Sequence, residues 1–223
     1  WKNAPAGKHE IPIRIAGPNK SQTIIQAVIN NPAPSVRKQI TGFVESNGYV
    51  SLEAEHFSQA KGTSSITWKR IPQLGRTLSA MTPDPVTATS QTPGGENPCL
   101  EYRLYLFTRG EVRVKAFLSP TLNFHNNQGL RYAISFDDEQ PQIMNMHAAR
   151  TFQDWEESVR NNITIVISKH VLGVPGNHVL KFWMVDPGVV LQKLVVETGE
   201  VKPSYLGPPE SLFISKTNNR TID

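Results

Sequence analysis

Short alternating runs of apolar and polar residues dominate the hydrophobic pattern of this chain. Residues 49–57 (YVSLEAEHF), 100–108 (LEYRLYLFT) and 111–118 (EVRVKAFL) alternate in the way that is typical of strands with one buried face. Residues 151–159 have the pattern of a short helix. Many short strands separated by turn residues predict an all-β fold, a β-sandwich with one short helix. The other short apolar runs lie at 65–71, 131–136, 142–146, 164–167, 178–185 and 189–197.

The front of the chain is organised differently from the rest. Two β-like runs, residues 9–16 and 22–29, are joined by GPNKS and predict a hairpin. Because two strands alone do not make a stable domain, this hairpin is either the end of a preceding small β-sandwich or a ribbon that packs on the main body. The predicted order is a fragment of an upstream sandwich, a Pro-containing linker, the main sandwich and a C-terminal tail, at residues 1–31, 32–47, 48–205 and 206–223.

The excess of positive over negative charge lies entirely in the front segment of the chain. The formal net charge is +4, and residues 1–47 hold six Lys/Arg against two Asp/Glu, whereas residues 48–223 hold 17 of each sign. Without a basic stripe on the main domain, nucleic-acid binding has little support. No run approaches the ~20 apolar residues of a membrane-spanning helix, so we expect no membrane partner. The single cysteine, Cys99, excludes an internal disulfide and a cysteine-built zinc site, and we expect it to be a small buried residue.

A pair of carboxylates, Glu53 and Glu55, stands out in the first predicted strand of the sandwich. An i, i+2 spacing in a strand places both side chains on the same face. Two adjacent carboxylates repel each other unless a cation lies between them. A Ca²⁺ ion, which prefers several oxygen ligands, would supply that cation. The alternative is that both acids lie on a solvated strand face.

Catalytic motifs are poorly represented in the sequence. The other acidic clusters, at 137–139 and 156–157, belong to a predicted turn and a helix surface, where solvated charge is the simplest interpretation. The six histidines show no metal-ligand spacing, and there is no GxSxG, P-loop or GxGxxG motif. A glycosidase needs an acid and a base or nucleophile set across a cleft. We therefore expect no catalysis within this chain.

An exposed aromatic surface is a second kind of candidate site. Trp68 and Phe124 lie close to predicted loops or strand ends, where an aromatic face would stack on a sugar ring while Asn and Arg side chains bind its hydroxyl groups and any carboxylate. The alternative is that the aromatic residues fill the core, which is the better interpretation for Trp183 inside KFWMV. The candidate sugar-binding residues are Trp68, Arg70, Arg76, Asn123, Phe124, Asn126 and Arg131.

Six motifs, in order along the chain, resemble one family. They are YVSLEAEHF (49–57), WKRIPQLGRTLSAM (68–81), SPTLNF (119–124), LRYAISFDDEQPQ (130–142), VDPGVVLQKLVV (185–196) and SYLGPPES (204–211). Together they resemble the C-terminal domain of glycoside hydrolase family 115. The resemblance implies a C-terminal piece of an α-glucuronidase that removes (4-O-methyl-)glucuronic acid from xylan, with the catalytic barrel elsewhere. It also implies that WKNAPAGKHEIPIRI (1–15) is the end of the small sandwich that precedes this domain.

The domain is in turn similar to carbohydrate-binding modules of families 6 and 35. Their first strand carries an EAE signature whose acid joins an acid of the last strand around a structural Ca²⁺. The resemblance therefore implies Glu53 and Glu55 as ligands from the first strand. The last strand departs from the pattern, because residues 191–194 read LQKL where these modules often read L-D-[KR]-I. Either Ca²⁺ binds with Gln192 as an uncharged ligand, or Gln192 and Lys193 replace the metal, through a Glu53–Gln192 hydrogen bond and the positive charge of Lys193.

The resemblance leads to an expectation for fold and function. We expect a jelly-roll-like β-sandwich that is a non-catalytic ancillary domain of a xylan α-glucuronidase. It would hold xylan or glucuronoxylan fragments near the barrel, or brace other domains of the parent enzyme or a second copy. The alternative is a purely structural interdomain or dimerisation module without sugar binding. The family's polymeric substrate implies a periplasmic or extracellular location, although residues 1–10 lack the layout of a signal peptide.

Overall fold

The computed structural model describes residues 5–125, 129–148 and 150–215, and the chain divides into two compact units, Trp1–Ile40 and Thr41–Asp223. The first unit contains the predicted hairpin. Its strands β1 (Gly7–Ala16) and β2 (Gln22–Asn31) are antiparallel and are joined by a 3₁₀ turn, and a short helix α1 (Pro34–Arg37) follows them.

The two faces of the hairpin differ in polarity. Alternation places Ile11, Ile13 and Ile15 of β1 on one face, where Ile13 pairs with Ile25 of β2. All four of these isoleucines are exposed within the described unit. An exposed apolar sheet face of this kind is compatible with the end of a larger sandwich. The assignment of residues 1–31 to such a sandwich stays a prediction.

The second unit is a β-sandwich with one helix longer than a single turn, α2 (Phe152–Asn161), among the residues described. Its strands are β3 (Gly42–Val44), β4 (Tyr49–Glu53), β5 (Gln59–Lys61), β6 (Thr67–Ile71), β7 (Ala80–Asp84), β8 (Cys99–Leu106), β9 (Gly110–Leu118), β10 (Arg131–Phe136), β11 (Gln142–Asn145), β12 (Thr164–Leu172), β13 (Gly176–Met184), β14 (Leu191–Glu197) and β15 (Phe213–Ile214). The predicted all-β sandwich is confirmed.

Two sheets build the sandwich. Sheet 1 has the order β11-β10-β13-β8-β3-β15, and β5 also pairs with β8. Sheet 2 has the order β12-β9-β14-β7-β6, and β4 also pairs with β14. All pairs are antiparallel except the parallel pair of β3 and β8. Strand β3 lies in the predicted linker 32–47, and β15 lies in the predicted tail 206–223. The sandwich therefore extends beyond its predicted bounds of 48–205 at both ends.

Large side chains fill the space between the sheets. Tyr132 stacks on Phe182 with ring centroids 5.0 Å apart, and the hydroxyl of the fully buried Tyr102 donates a hydrogen bond to the carbonyl of Ala54 at 2.7 Å. Cys99 is buried as predicted, and burial raises the pKa of its thiol to about 12. A thiol with such a pKa stays neutral and packs as a small apolar residue.

Helix α2 confirms the helix that residues 151–159 predict. A capping box begins it, because the Thr151 hydroxyl accepts from the backbone N–H of Asp154 and the Asp154 carboxylate accepts from the backbone N–H of Thr151. Asn162 ends the helix in the left-handed conformation, with φ of 50°. This cap leaves the backbone carbonyls of Asn161 and Asn162 available to side chains of the candidate site. No helix in the described part of the chain is long and apolar enough to span a membrane.

Candidate functional site

The site at the end of β4 begins with a register pair. Glu53 is the last residue of β4 and lies opposite Lys193 of β14. On the other side of β14 the register shifts between Leu191 and Lys193, so Gln192 is the extra residue of a β-bulge. A bulge redirects the side chains around it, and this one places Gln192 and Lys193 toward different partners.

Lys193 and Glu53 form a buried ion pair. The ammonium nitrogen lies 2.9 Å from Glu53 Oε1, and both side chains are only 4% exposed. The Thr77 hydroxyl lies 2.7 Å from both Glu53 oxygens. The ammonium also donates to the carbonyls of Pro208 and Leu206, at 3.3 and 3.4 Å. A buried pair needs such additional hydrogen bonds to offset the desolvation of its charges.

Gln192 is held by other elements instead of by Glu53. Its carbonyl oxygen accepts from the backbone N–H of Arg76 at 3.0 Å. Its amide donates to the Ser119 hydroxyl and to the carbonyl of Asn162, both at 2.9 Å. The prediction of a hydrogen bond between Gln192 and Glu53 is therefore wrong. Because of the bulge at Gln192, the residue opposite Glu53 is Lys193.

Glu55 has a separate cationic partner. Strand β4 ends at Glu53, so residues 54–57 do not continue the predicted strand and the shared face of Glu53 and Glu55 is lost. Glu55 accepts from the Arg70 guanidinium and from the backbone N–H of Ser79, the latter at 2.9 Å. Burial alone raises the pKa of Glu55, but the Ser79 and Arg70 hydrogen bonds outweigh it, so the pKa lies below its usual value. Each carboxylate thus has a cation, and neither is a solvated surface acid.

These contacts do not fit the Ca²⁺ site that the resemblance implies. Of the three implied ligands, Glu53 is bound to an ammonium, Glu55 to a guanidinium, and the Gln192 carbonyl to a backbone N–H. The described residues also contain no cluster of three or more His, Cys, Asp or Glu that could hold a metal ion. Protein cations occupy the oxygens that a Ca²⁺ ion would need.

A segment that the sequence patterns leave unassigned completes this site. Residues 204–211, named here the strap, run along the edge of β4. Ser211 exchanges hydrogen bonds with the Ser51 backbone at 2.9 and 3.0 Å, and Glu210 accepts from the backbone N–H of Glu53 at 3.1 Å. His56 Nδ1 lies 2.8 Å from the Glu210 carboxylate. Because the strap has no apolar–polar alternation, its SYLGPPES motif was the one available signal for it.

A cleft of about 450 Å³ opens between the strap and the ion pair. Glu53, Thr77 and Lys193 line one part of it, and strap residues 204–210 line the rest. The Arg76 guanidinium lies 4.0 Å from the centroid of the Tyr205 ring and donates to the carbonyl of Asn161 at 2.9 Å. The sequence places Arg76 beside Trp68, but its contacts belong to the strap and the end of α2.

Trp68 and Arg70 lie on β6, at the edge of sheet 2. The half-buried indole packs against the core, at 63° to the Phe182 ring and with the two centroids 6.2 Å apart. The indole N–H donates to the carbonyl of Lys61 at 2.8 Å. These contacts match the alternative in which Trp68 fills the core. Trp183 is buried, as its context predicts, and donates to the Ser135 hydroxyl at 2.9 Å.

Phe124 is differently placed, on the loop before β10. Its ring is 47% exposed and lies against the backbone of Gly188, whose φ of +88° favours glycine. A Cβ atom at position 188 would come within 2.5 Å of the Phe124 ring. Asn123 is half-buried on the same loop, whereas the candidate Asn126 lies outside the described residues.

Arg131, the last sugar-binding candidate, is bound within the chain. Its guanidinium donates twice to Asp186, at 2.8 and 3.0 Å, and its backbone N–H donates a third hydrogen bond at 2.9 Å. The Asp186 carboxylate is fully buried and also accepts from the Ser90 hydroxyl at 2.6 Å. The described candidates therefore lie at separate places in the fold: Trp68 and Arg70 on β6, Arg76 at the strap, Asn123 and Phe124 on the loop before β10, and Arg131 on β10 itself. Their binding of sugar stays a prediction.

Comparison with known sequences decides the family. The glycosyl hydrolase family 115 C-terminal domain matches residues 42–210. The chain belongs to this family. The match covers the sandwich from β3 to the strap and excludes the hairpin, and the resemblance inferred from the six motifs is confirmed. A search of curated proteins gave no match.

A solved structure of a family 115 enzyme shares the fold of this chain. This chain is similar to BtGH115A, a family GH115 4-O-methyl-α-glucuronidase described as specific for decorated arabinogalactans. The TM-score is 0.54, the sequence identity is 17%, and the match covers 70% of this chain. The chain spans only 18% of that enzyme's length. It is also similar to a family 35 carbohydrate-binding module from Clostridium thermocellum (TM-score 0.43, 15% identity, 66% of this chain and 97% of the module) and to the C-terminal CBM6 of LamC, a laminarinase from Zobellia galactanivorans (0.44, 12%, 67% and 98%).

Proposed function

We propose that the sandwich is a non-catalytic ancillary domain of a family 115 α-glucuronidase, which holds polysaccharide for a catalytic domain elsewhere in the parent enzyme. The parent acts on polymers, so its place is the periplasm or the extracellular space. Xylan or glucuronoxylan is the ligand that we propose. The decorated arabinogalactans named for BtGH115A are the polymer to compare with it.

The state of the carboxylates supports a non-catalytic role. A glycosidase needs two carboxyl groups that flank the scissile bond and are free to exchange a proton or attack the sugar. Here Glu53, Glu55 and Asp186 are bound to Lys193, Arg70 and Arg131. These acids serve structure. The pure chain incubated with glucuronoxylan should release no glucuronic acid, and any turnover by it contradicts this part of the proposal.

The exposed ring of Phe124 is the observation that carries sugar binding. The ring lies on Gly188 and the His125 ring packs on it with centroids 4.2 Å apart, and these contacts set its orientation, while 47% of the residue is open to solvent. An aromatic ring held in this way offers a flat apolar surface at little cost in side-chain entropy. Sugar rings have apolar faces of the same size, and the polar side chain of Asn123 is next to it in the loop.

Phe124→Ala should therefore weaken polysaccharide binding without unfolding the domain. We expect about a tenfold higher dissociation constant, equivalent to about 1.4 kcal/mol. Affinity electrophoresis in gels with and without glucuronoxylan, and in parallel with arabinogalactan, measures the effect. Phe152→Ala is the matched control, because Phe152 is an aromatic residue on α2 with 76% exposure. Equal retardation of wild type, F124A and F152A places the sugar elsewhere, and no retardation of the wild type contradicts sugar binding.

A bracing role is the second candidate function, and the hairpin favours it. Ile11, Ile13, Ile15 and Ile25 expose an apolar face that another domain of the parent enzyme or a second copy would cover. The packing of Trp68 against the core supports it too, since a half-buried indole has less surface to offer a sugar ring. Light scattering on the isolated chain separates the partners. A dimer that Ile13→Lys dissociates indicates a second copy, whereas a monomer contradicts that partner.

A further inference from the structure

A second cleft, named here the sheet 1 cleft, has a volume of about 530 Å³ and shares no lining residue with the cleft beside the strap. Segments around β3, β8, β13 and β15 line it, and they include Thr41, Arg103, Asn177, Val179 and Ile214. None of the described sugar-binding candidates is in this lining. Its volume falls within the range of about 300–1,000 Å³ that is typical of ligand sites.

The sheet 1 cleft opens on the outer face of sheet 1. Arg103 of β8 and Val179 of β13 are a register pair, and cross-strand partners lie on the same face of a sheet. The next residues along these strands, Leu104 and Leu180, are fully buried in the core between the sheets. Because successive side chains of a strand alternate, Arg103 and Val179 point away from that core. The cleft is therefore accessible to a ligand from solvent.

Arg103 supplies this cleft with a cation. Its side chain is exposed, and within the described residues its guanidinium has neither an ion pair nor a hydrogen bond. In contrast, Arg70, Arg76 and Arg131 are each bound to an oxygen of their own chain. A guanidinium has five N–H donors in a planar fork, and at Arg103 these donors are available to a ligand.

The acids next to the sheet 1 cleft have partners of their own. The described lining contains Arg103 and no Asp or Glu. Glu101, two residues before Arg103 on β8, forms an ion pair with Lys61 at 3.0 Å. Asp137, in the turn after β10, lies 2.7 Å from His178 Nδ1. The charge of Arg103 is thus left without a described counter-charge, and an anionic ligand is favoured there by charge complementarity.

We propose that the sheet 1 cleft binds the glucuronosyl side groups of the polysaccharide, with the Arg103 guanidinium paired to the uronate carboxylate. The inference rests on the polysaccharide-binding role proposed above and names the part of the polymer that the domain recognises. Guanidinium and carboxylate match in shape, since two parallel N–H donors meet two oxygens. Neutral backbone sugars lack the carboxylate, so this cleft selects decorated over bare polymer.

Hydrogen bonds fix the polar wall of the cleft beside Arg103. The backbone N–H and the hydroxyl of Thr41 both donate to Asn177 Oδ1, at 3.2 and 2.9 Å. Asn177 lies two residues before Val179 on β13 and therefore on the same face of sheet 1 as Arg103. A carboxamide held in this way keeps one orientation, so it presents a polar surface to sugar hydroxyl groups at little cost in side-chain entropy.

Affinity electrophoresis of the whole chain tests the proposal in gels without polymer, with glucuronoxylan, and with glucuronoxylan whose carboxyl groups have been reduced to alcohols. The reduced polymer keeps its backbone and side groups and loses only their charge. Wild type should bind glucuronoxylan about tenfold more tightly than the reduced polymer. Arg103→Ala should raise the dissociation constant for glucuronoxylan about tenfold and leave that for the reduced polymer unchanged, because a charged bidentate contact is lost.

Two further variants separate a bidentate contact from net charge. Arg103→Lys keeps the charge but loses the planar pair of donors, so we expect a rise in the dissociation constant of about threefold. Arg160→Ala is the matched control and should behave as wild type, because it removes the same charge from an exposed position on α2, outside the cleft. Each mobility is compared with that of the same variant without polymer, which removes the effect of net charge on migration.

The side chain of Arg103 should contribute little to stability, so loss of binding by R103A is not loss of the fold. Because this side chain is exposed and has no partner among the described residues, the thermal midpoint of R103A should stay within about 2 °C of wild type. If R103A is nevertheless unstable, R103K decides the question, and a wild-type affinity of R103K for glucuronoxylan contradicts the bidentate contact.

The outcomes distinguish this proposal from the broader one. Equal retardation of wild type and R103A in glucuronoxylan overturns the assignment to Arg103 and leaves polysaccharide binding intact. Equal retardation of wild type by the native and the reduced polymer overturns uronate recognition, again without affecting polysaccharide binding. An equal loss of binding in R103A and R160A assigns the effect to net charge and overturns the proposed site. If neither polymer retards wild type, polysaccharide binding itself fails, and this proposal fails with it.

Discussion

Trp68→Ala should lower the free energy of unfolding by about 3 kcal/mol, the lower end of the range for truncating a packed tryptophan. Its indole contacts Phe182 of sheet 1 from β6 of sheet 2 and so packs across the sandwich. The variant also leaves the Lys61 carbonyl without the indole donor at 2.8 Å. Urea denaturation followed by circular dichroism measures the change, and the value of m should stay constant because the same core unfolds.

Trp68→Phe is the matched variant for this experiment. It keeps an aromatic ring near Phe182 and loses only the indole N–H, so we expect a cost of about 1 kcal/mol. Polysaccharide retardation corrected for the folded fraction should be unchanged in both variants. A W68A protein with the wild-type midpoint and no retardation would show that Trp68 is a sugar platform, as the sequence alone allows, and not a core residue.

Alternation of apolar residues was enough to predict most of the sandwich. The runs at 100–108 and 111–118 became β8 and β9 with bounds within two residues, because each has one buried and one exposed face. The helix predicted at 151–159 was also found, as α2, and the capping box at Thr151 and the left-handed Asn162 fix its two ends. The first sandwich strand was predicted four residues too long. A turn follows Glu53 there. The alternation in EAE is typical of a strand, but the strand pairing of β4 ends at Glu53.

The site could be predicted only in part, for reasons of register and distance. That Glu53 needs a cation follows from local charge alone, and Lys193 was one of two alternatives for it. The bulge at Gln192 decided between them, and a bulge is invisible in a pattern of buried residues because every residue of β14 is buried. The strap contacts join Glu53 to Glu210 across a long stretch of chain, and no local pattern encodes such a closure.

The same logic applies to the arginines among the sugar-binding candidates. Arg70, Arg76 and Arg131 were selected because they neighbour aromatic residues in sequence. In the fold, each donates to an oxygen of its own chain, namely those of Glu55, Asn161 and Asp186. A guanidinium offers several N–H donors, so these contacts leave some of its donors for a ligand. Of the two candidate aromatic residues, Phe124 is exposed and Trp68 is half-buried, so Phe124 is the more direct test of binding.

The buried carboxylate of Asp186 should make the stability of the domain sensitive to acid. Burial raises the pKa of Asp186, but the hydrogen bonds from Arg131 and Ser90 outweigh it and the pKa lies below its usual value. A group whose pKa is lower in the folded state stabilises that state above its ordinary pKa of about 4, and this contribution is lost as the pH falls through the lowered value. Glu55, whose pKa is also lowered, acts in the same direction.

Asp186→Asn should therefore destabilise the domain near neutral pH, by about 3 kcal/mol, since Arg131 is 40% exposed and only its partner is fully buried. The gap between wild type and variant should be constant from pH 7 to about pH 5 and should close progressively below pH 4, because a protonated aspartate and an asparagine are both neutral. Urea denaturation at a series of pH values measures it, and Asp138→Asn, an exposed acid in the turn after β10, is the control that should follow wild type throughout. A gap of the same size at pH 3 as at pH 7 would mean that the loss comes from altered packing, and that the Arg131–Asp186 ion pair does not stabilise this end of the sandwich.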